Sequence, residues 1–251
     1  MSPSSIIHPI GQPFIELITV DSTNNYAMAQ IQKGEAQHGW AWFAYSQTAG
    51  KGQRGKQWHS VQGQNIILSV ALDTNRLPVS GQFYLSAAIA LAVHSVFSKY
   101  AGSESRVKWP NDIYWNDRKA GGILIENIIR GNKWQWAIAG TGININQTTF
   151  GDGVDNAVSL KQITGKDFHV IALAKEICAA MDVWFARLQT NRDAVLLEYN
   201  NILYKRGKTV QLRKGNIVFN ATIKEVLPDG RLRVEDAAWD AFEFGEISWM
   251  I

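Results

Sequence analysis

The sequence predicts an α+β fold, in which a mixed β-sheet flanked by helices is followed by a small β-barrel. Two long segments have apolar residues at helical spacing, and short segments of strand character lie between them. After Gly207 the helical spacing stops and only short strand candidates remain. We therefore expect a larger domain at residues 1–205 and a small C-terminal barrel at residues 206–251.

The composition is that of an ordinary globular chain. Of its 251 residues, 46% are hydrophobic and 19% are charged, which argues against intrinsic disorder. The single cysteine cannot form an internal disulfide, and the five scattered histidines show no metal-site spacing. Apolar runs are too short to span a bilayer, the N-terminus lacks signal-peptide features, and a net charge of +3 is too small to indicate nucleic-acid binding. These features favour a cytoplasmic protein with no membrane partner.

The helices are predicted from capping residues and apolar spacing. They lie at residues 24–33, 85–100, 171–188 and 193–204. Residues 21–23 offer N-cap chemistry for the first helix and Gly34 ends it, so capping alone explains Ser22 and Thr23. The two longest helices have a continuous apolar face with steps of three and four residues, and should form the core.

The strands are predicted to be short. In the first domain they lie at residues 40–46, 65–72, 106–109, 113–115, 122–128 and 134–144. In the second they lie at residues 210–212, 217–227, 231–234 and 242–248, with a hairpin turn at Asp229-Gly230. Because about 45 residues bury little apolar surface, we expect the barrel to pack on the larger domain.

A glycine-rich basic loop separates the first two predicted strands. Residues 50–56 are Gly-Lys-Gly-Gln-Arg-Gly-Lys, so the backbone can approach a ligand while three cations attract phosphate or carboxylate. The loop is not a P-loop, because Gln57 replaces the Ser or Thr that would hold magnesium and no helix follows. Taken alone, the pattern equally fits a solvated basic turn.

Three further segments fit either a binding role or an ordinary structural one. Lys-Trp-Pro-Asn-Asp at 108–112 places polar groups at a rigid strand end, where Asp112 could bind a metal or a ribose hydroxyl, but a self-capping turn fits too. Lys119 beside two glycines could face a reacting anion or belong to a hairpin turn. Asn144 ends a glycine-containing strand that also fits a simple bulge.

The order of these motifs in one chain resembles that of biotin–protein ligases. The motifs are Asp-Ser-Thr-Asn at 21–24, the loop from Gly50, Lys-Trp-Pro-Asn-Asp at 108–112, Lys-x-Gly-Gly-Ile-Leu at 119–124 and Gly-x-Gly-Ile-Asn at 140–144. The terminal Gly-Glu-Ile-Ser at 245–248 resembles the family's small SH3-like barrel, so the resemblance covers nearly the whole chain. It implies an ATP-dependent ligase that activates biotin as biotinyl-AMP and transfers it to a lysine of a biotin carboxyl carrier protein.

The resemblance also implies roles for individual residues. Those expected to bind biotin are Ser22, Thr23, Asn24, Gln47, Lys51, Gly52, Gln53, Lys119 and Gly122. Those expected to bind ATP are Arg54, Lys56, Trp58, Lys108, Asn111, Asp112 and Asn144. The expected catalytic residues are Lys119, Arg54 and Asp112. Lys119 would contact the biotin carboxyl and the α-phosphate, while Asp112 would coordinate magnesium or activate the acceptor lysine. Magnesium should bridge the ATP phosphates rather than occupy a protein cage.

Two positions depart from the family's pattern. Gln53 stands where the family often has an arginine that helps to retain the adenylate. Trp249-Met250 stands where some relatives have an arginine, which puts in doubt a charged contact from the barrel to the nucleotide.

The resemblance also bears on DNA binding, on dimerisation and on alternative functions. Only 20 residues precede Asp21, so we expect the monofunctional type, without an N-terminal DNA-binding domain or a DNA partner. Family analogy allows a homodimer through an exposed sheet edge. The alternatives are a lipoyl or octanoyl transferase of the same architecture, and a carrier-binding protein with an inactive site, against which the intact Lys119 and glycine loop argue.

Overall fold

The computed structural model describes residues 8–151 and 156–250. Its larger sheet has seven strands: β1 (Phe14–Val20), β2 (Ala41–Gln47), β3 (Asn65–Asp73), β4 (Ser105–Lys108), β5 (Asp112–Trp115), β6 (Arg118–Arg130) and β7 (Lys133–Asn144). Their order across the sheet is β1-β2-β3-β7-β6-β5-β4. Strands β1 and β2 are parallel and the other neighbours are antiparallel, so the expected mixed sheet is confirmed.

Five helices cover the two faces of this sheet unequally. They are α1 (Thr23–Lys33), α2 (Gln82–Ala101), α3 (Leu160–Thr164), α4 (Val170–Thr190) and α5 (Arg192–Asn201). The main core lies between the sheet and α2 and α4, whereas a smaller cluster of Ala27, Trp42, Ala71 and Ile138 packs α1 on the opposite face. The alternation of side chains along β2 explains this, since Phe43 joins the main core and Trp42 the smaller one.

Most of the predicted elements are present, with shifted ends. Strand β1 and the short helix α3 were not predicted from the sequence. The capping box of Ser159 and Gln162, in which each side chain accepts from the other residue's backbone N–H, begins α3. At the C-terminal end of α1, Gly34 adopts the left-handed conformation that was expected, with a φ of 75°.

Helix α2 is more apolar than its sequence pattern suggested. Among the described residues, Val79–Ala101 is long and apolar enough to cross a membrane by length and composition alone. However, 61% of that segment is buried inside the protein, where it packs against α4, α5 and the sheet. The apolar composition of α2 therefore reflects its place at the centre of the core.

A second, five-stranded sheet follows α5. Its strands are β8 (Thr209–Lys214), β9 (Ile217–Val226), β10 (Leu232–Glu235), β11 (Ala241–Phe242) and β12 (Ser248–Trp249), in the order β11-β10-β9-β8-β12. The prediction of one strand at 242–248 is wrong. Gly245 adopts φ 89° there and turns the chain, which leaves two short strands separated by a loop.

The small sheet is anchored to the larger domain through buried polar contacts. The Asn200 side chain on α5 donates to the Val226 carbonyl at 3.0 Å and accepts from the Val226 N–H at 2.7 Å. The Trp109 indole donates to the Gly230 carbonyl at 2.8 Å. These bonds hold β9 against α5 and the turn at Gly230 against Trp109, next to the end of β4. Two separate domains divided at residue 205 remain a prediction, and residues 1–7 and 251 lie outside the described part.

Candidate active site

A cavity of about 680 Å³ lies between the glycine loop, the sheet and the C-terminal residues. Its volume falls within the range common for small-molecule sites, roughly 300–1,000 Å³. The walls come from separate parts of the chain: the start of α1, Gln47 at the end of β2, residues 51–58, Ile67 on β3, residues 108–112, strands β6 and β7, and residues 244–249. The fold thus brings the sequence motifs together around one space.

All but one of the residues predicted to bind biotin or ATP line this cavity. The exception is Asn144, which is 4% exposed and donates its side-chain amide to the Val158 carbonyl at 3.2 Å. This bond links the end of β7 to the segment that precedes α3. We therefore do not retain Asn144 as a proposed nucleotide ligand.

The start of α1 forms the polar floor of the cavity. Within the described residues, the Ser22 hydroxyl makes no capping hydrogen bond, so the prediction that capping explains this residue is wrong. The Thr23 backbone N–H is instead satisfied by Gln47 Oε1 on β2, at 2.7 Å. Because Gln47 accepts this N–H, the buried Ser22 side chain is left for a role at the cavity, whereas the Thr23 hydroxyl is hydrogen-bonded to Gln47 and Ser69.

The glycine loop folds back on itself at the mouth of the cavity. The Gly52 N–H donates to the Lys56 carbonyl at 2.7 Å, and the Trp58 N–H donates to the Gly50 carbonyl at 2.9 Å. At the tip, Arg54 has a φ of 56° and donates from Nη1 to the Gly245 carbonyl at 3.1 Å. This hydrogen bond joins the loop to the small sheet across the cavity.

The loop ends at Trp58, which forms one wall. A Cβ atom added to Gly142 would lie 2.6 Å from the Trp58 ring, so only glycine leaves room for the indole against β7. Trp58 Nε1 is buried with no hydrogen-bond partner among the described residues. A buried N–H without a partner is costly, so this donor is a candidate contact for a ligand or a water molecule.

Lys119 and Asp112 form an ion pair inside the cavity, with 2.7 Å between Nζ and Oδ1. A β-bulge brings them together: Ile113 faces Gly121 and Tyr114 faces Lys119, which leaves Ala120 as an extra residue on β6. The two side chains remain 36% and 26% exposed, so an anion entering the cavity can reach the lysine.

Lys108 lies deeper, between aromatic rings from both sheets. Its Nζ lies 3.1 Å from the Tyr114 hydroxyl, 4.7 Å from the centre of the Tyr114 ring and 5.3 Å from that of Trp249. Burial lowers the pKa of Lys108 to about 8, although the charge of nearby Asp112 opposes the shift. Trp249, which stands where some relatives have an arginine, therefore contributes an aromatic ring to the wall of this cavity.

Sequence analysis missed two polar residues behind the floor. Glu126 on β6 accepts a hydrogen bond from the Asn24 side chain at 2.7 Å and lies 3.6 Å from Lys51 Nζ. Ser69 on β3 is fully buried and hydrogen-bonded to both Thr23 and Asn24. A glutamate and a serine within otherwise apolar strands were the signals that could have identified them.

The cavity has no ready-made cage for a metal ion. Residues 8–151 and 156–250 contain no group of three or more His, Cys, Asp or Glu side chains that could bind a metal ion. Asp112 is the carboxylate that lines the cavity, and Lys119 already pairs with it.

A family model described as the biotin/lipoate A/B protein ligase family matches residues 16–144. The bifunctional ligase/repressor BirA of Escherichia coli is 34% identical over 173 residues, which cover 67% of this chain and 53% of that protein. The biotin--[acetyl-CoA-carboxylase] ligase of Mycobacterium tuberculosis is 33% identical over 129 residues, which cover 50% of this chain and 47% of that protein. The chain therefore spans about half the length of these relatives.

Solved structures share the fold over most of the chain. A biotin protein ligase from Aquifex aeolicus in complex with biotin and ATP has a TM-score of 0.78 and 22% identity, covering 93% of this chain and 97% of that one. A biotin protein ligase from Leishmania major in complex with biotinyl-5-AMP has a TM-score of 0.64 and 23% identity, covering 91% and 98%. At this level of identity the likeness shows a common fold.

Proposed function

The chain belongs to the biotin/lipoate A/B protein ligase family, and from that premise we propose that it is an ATP-dependent biotin–protein ligase. The observation that carries the proposal is that the fold brings Lys119, Asp112, the basic glycine loop and the polar start of α1 to the same cavity. The structures of biotin protein ligases that share the fold hold biotin, ATP or biotinyl-5-AMP, which supports the same assignment.

The charge distribution of the cavity suits the first half-reaction. A carboxylate oxygen of biotin attacks the α-phosphorus of ATP, the bond to the leaving pyrophosphate breaks, and biotinyl-AMP forms. Both reactants are anions, so they must be brought together against their mutual repulsion. Lysines and arginine around the cavity can offset it, and Lys119, held by Asp112, is the proposed contact to the biotin carboxyl and the α-phosphate.

The second half-reaction transfers the acyl group to a carrier. The amine of the acceptor lysine attacks the biotinyl carbonyl carbon, the bond to the phosphate oxygen breaks and AMP leaves. The ammonium formed in the attack must lose a proton, and Asp112 is the half-buried carboxylate proposed to favour that loss. The proposed partner is a biotin carboxyl carrier protein or domain, and the proposed compartment is the cytoplasm.

The proposed substrate contacts divide the cavity into two sides. The biotin side comprises Ser22, Thr23, Asn24, Gln47, Lys51, Gly52, Gln53 and Gly122. The nucleotide side comprises Arg54, Lys56, Trp58, Lys108 and Asn111. Asp112, which pairs with Lys119, would be the protein contact of an Mg²⁺ ion bound together with ATP. When bound, the ion neutralises phosphate charge during adenylation.

The proposal is tested by incubating the protein with ATP labelled at the α-phosphate and with biotin, lipoate or octanoate. Of the three acids, only biotin should give pyrophosphate and an acyl-AMP. Subsequent addition of a carrier protein should consume this adenylate. Acyl-AMP formation from lipoate but not from biotin would instead support the lipoyl transferase alternative. Binding of a carrier without pyrophosphate release from any acid would support a protein with an inactive site.

A further inference from the structure

The ammonium of Lys108 lies against two aromatic rings, which we call the aromatic cage. The rings belong to Tyr114 on β5 and to Trp249 on β12, the last strand of the small sheet. Lys108 Nζ lies 4.7 Å from the centre of the Tyr114 ring and 5.3 Å from that of Trp249, and it donates to the Tyr114 hydroxyl at 3.1 Å. Both ring distances lie within the roughly 6 Å over which an aromatic face attracts a cation. The two sheets thus hold one lysine between them.

The cage is fixed by the segment that connects the two sheets. Tyr204, which is 3% exposed, packs its ring 5.2 Å from that of Tyr114 and 5.7 Å from that of Trp249. Its hydroxyl donates to Asp117 at 2.6 Å, and its backbone N–H donates to the Val107 carbonyl at 2.9 Å. Because Tyr204 is held at both its hydroxyl and its backbone, it gives the Trp249 ring a rigid support.

Lys108 needs such a support because two of its charged neighbours in the cavity are also cations. Lys56 and Lys119 repel its ammonium, whereas Asp112 attracts it. The Asp112 carboxylate, however, is already paired with Lys119 at 2.7 Å. A lysine has a flexible four-carbon stem, so without a further attraction the ammonium of Lys108 would move away from the other two cations.

An aromatic ring supplies this attraction without a formal negative charge. A carboxylate at position 249 would also hold the ammonium, but it would repel the phosphates of ATP. The face of an indole attracts a cation through the ring quadrupole and leaves the net charge of the cavity unchanged. Lys108 can therefore be held in place and still attract a phosphate.

We propose that Trp249 is a positioning residue, which holds the Lys108 ammonium on the nucleotide side of the cavity before ATP binds. The inference rests on the proposed function, because the group that the lysine meets there is a phosphate of ATP. The affinity for a ligand scales with the fraction of molecules in which the binding groups are already in place. The small sheet thereby strengthens ATP binding through a cation of the larger sheet.

The decisive pair of variants is Trp249→Leu and Trp249→Phe, with the Kd for ATP measured by calorimetry in the absence of biotin, so that no turnover occurs. Leucine keeps apolar bulk but has no π face, so we expect the Kd to rise about fivefold, the equivalent of about 1 kcal/mol. Phenylalanine keeps a π face and should bring the Kd within about twofold of the wild type.

Trp239→Leu is the matched control for these variants. Trp239 lies just before β11, with Lys214 Nζ 5.2 Å from the centre of its ring, and it does not line the cavity. This variant therefore removes a tryptophan and a cation–π contact from the same small sheet. It should leave the Kd for ATP unchanged.

A second background distinguishes positioning from direct contact between Trp249 and the nucleotide. In Lys108→Met there is no cation to hold, so Trp249→Leu should cause no further loss of ATP affinity. Equal losses in the two backgrounds would overturn the proposal, because the ring would then act on the nucleotide itself. Adenosine has no phosphate, and its binding should not respond to Trp249→Leu. A loss of adenosine affinity would also overturn the proposal.

Fluorination of the ring tests the same contact without changing the shape of the side chain. Site-specific incorporation of tetrafluorotryptophan at position 249 withdraws electron density from the face of the ring, and should weaken ATP binding. If Trp249→Leu fails to fold, this variant decides, and an unchanged Kd in it would overturn the proposal. Wild-type protein that binds ATP but forms no biotinyl-AMP would overturn the proposed function itself, which is a different outcome.

Discussion

The Lys119 ammonium lies 2.7 Å from the Asp112 carboxylate on the neighbouring strand. Gly122 keeps the surrounding space open, since a Cβ atom there would lie 3.2 Å from Asp112 Oδ1 and 3.4 Å from Lys119 Nζ. The pair is accessible from the cavity, so a substrate anion can compete with Asp112 for the lysine. In the proposed reaction, the ion pair holds the ammonium in place until that anion binds.

Replacing Lys119 should slow adenylation. Lys119→Ala removes a cation from the site where charge develops at the α-phosphate, and the loss of one such contact costs about 10²–10³ in rate. Pyrophosphate release under single-turnover conditions measures the effect. Lys166→Ala, at an exposed loop position, is the control and should retain the wild-type rate. Adenylation by Lys119→Ala at a near-normal rate would remove this residue from the mechanism.

Biotin should tighten the binding of ATP. The glycine loop is attached on one side through Arg54 to the Gly245 carbonyl, at 3.1 Å, and on the other through Lys51 to Glu126, at 3.6 Å. Both attachments are at the surface and weak, so we expect biotin to contribute to ordering the loop over the nucleotide. The Kd for ATP, measured with and without saturating biotin, tests this coupling. Equal values would show that the two sites bind independently.

A cation at position 53 should slow the escape of the adenylate. Gln53→Arg replaces a neutral hydrogen bond with a charge-assisted one, which is roughly twice as strong. We expect the dissociation rate of preformed biotinyl-AMP to fall about tenfold, a gain near 1.4 kcal/mol. Gln53→Met keeps the length without the charge and should not slow release. Equal rates in the wild type and Gln53→Arg would mean that Lys51, Arg54 and the backbone already retain the phosphate.

The affinity for ATP should depend on pH through Lys108. Burial lowers the pKa of this lysine to about 8, so it is charged below that pH and loses its proton above it. Only the charged form attracts phosphate, and the Kd for ATP should therefore rise as the pH increases through this range. Binding is measured one unit below and one unit above about 8.

The matched variant for this prediction is Lys108→Arg. A guanidinium keeps its charge well beyond this range, so the pH dependence should flatten. The same rise in the Kd for both proteins would assign the effect to another group, such as the nucleotide itself.

Adding a methyl group at position 142 should displace the Trp58 wall. The new Cβ atom of Gly142→Ala would lie 2.6 Å from the Trp58 ring, and overpacking of this kind costs about 1–3 kcal/mol. Thermal unfolding should show the loss of stability, and the Kd for ATP should rise because the indole moves. Gly151→Ala places its methyl group in open space and should behave as the wild type. An unchanged melting temperature in Gly142→Ala would contradict the close contact.

The sequence by itself determined the features that depend on neighbours along the chain. Helices α2 and α4 follow from apolar spacing, and the end of α1 follows from Gly34, because these preferences act within one or two turns. The order of short motifs was enough to indicate the family. Local patterns failed where a turn interrupted them, as at Gly245, or where an element was as short as α3.

Only the tertiary structure decided which polar groups meet. Glu126 reaches Asn24 across 102 residues, Arg54 reaches Gly245 across 191, and Lys108 lies over a ring of Trp249. Such pairings depend on sheet register and on how the small sheet packs, and neither is encoded in any local window. A single residue of register would turn Glu126 to the other face of β6, and its hydrogen bond with Asn24 would not exist. The family could thus be inferred from the motifs, whereas the hydrogen bonds and ion pairs around the cavity required the fold.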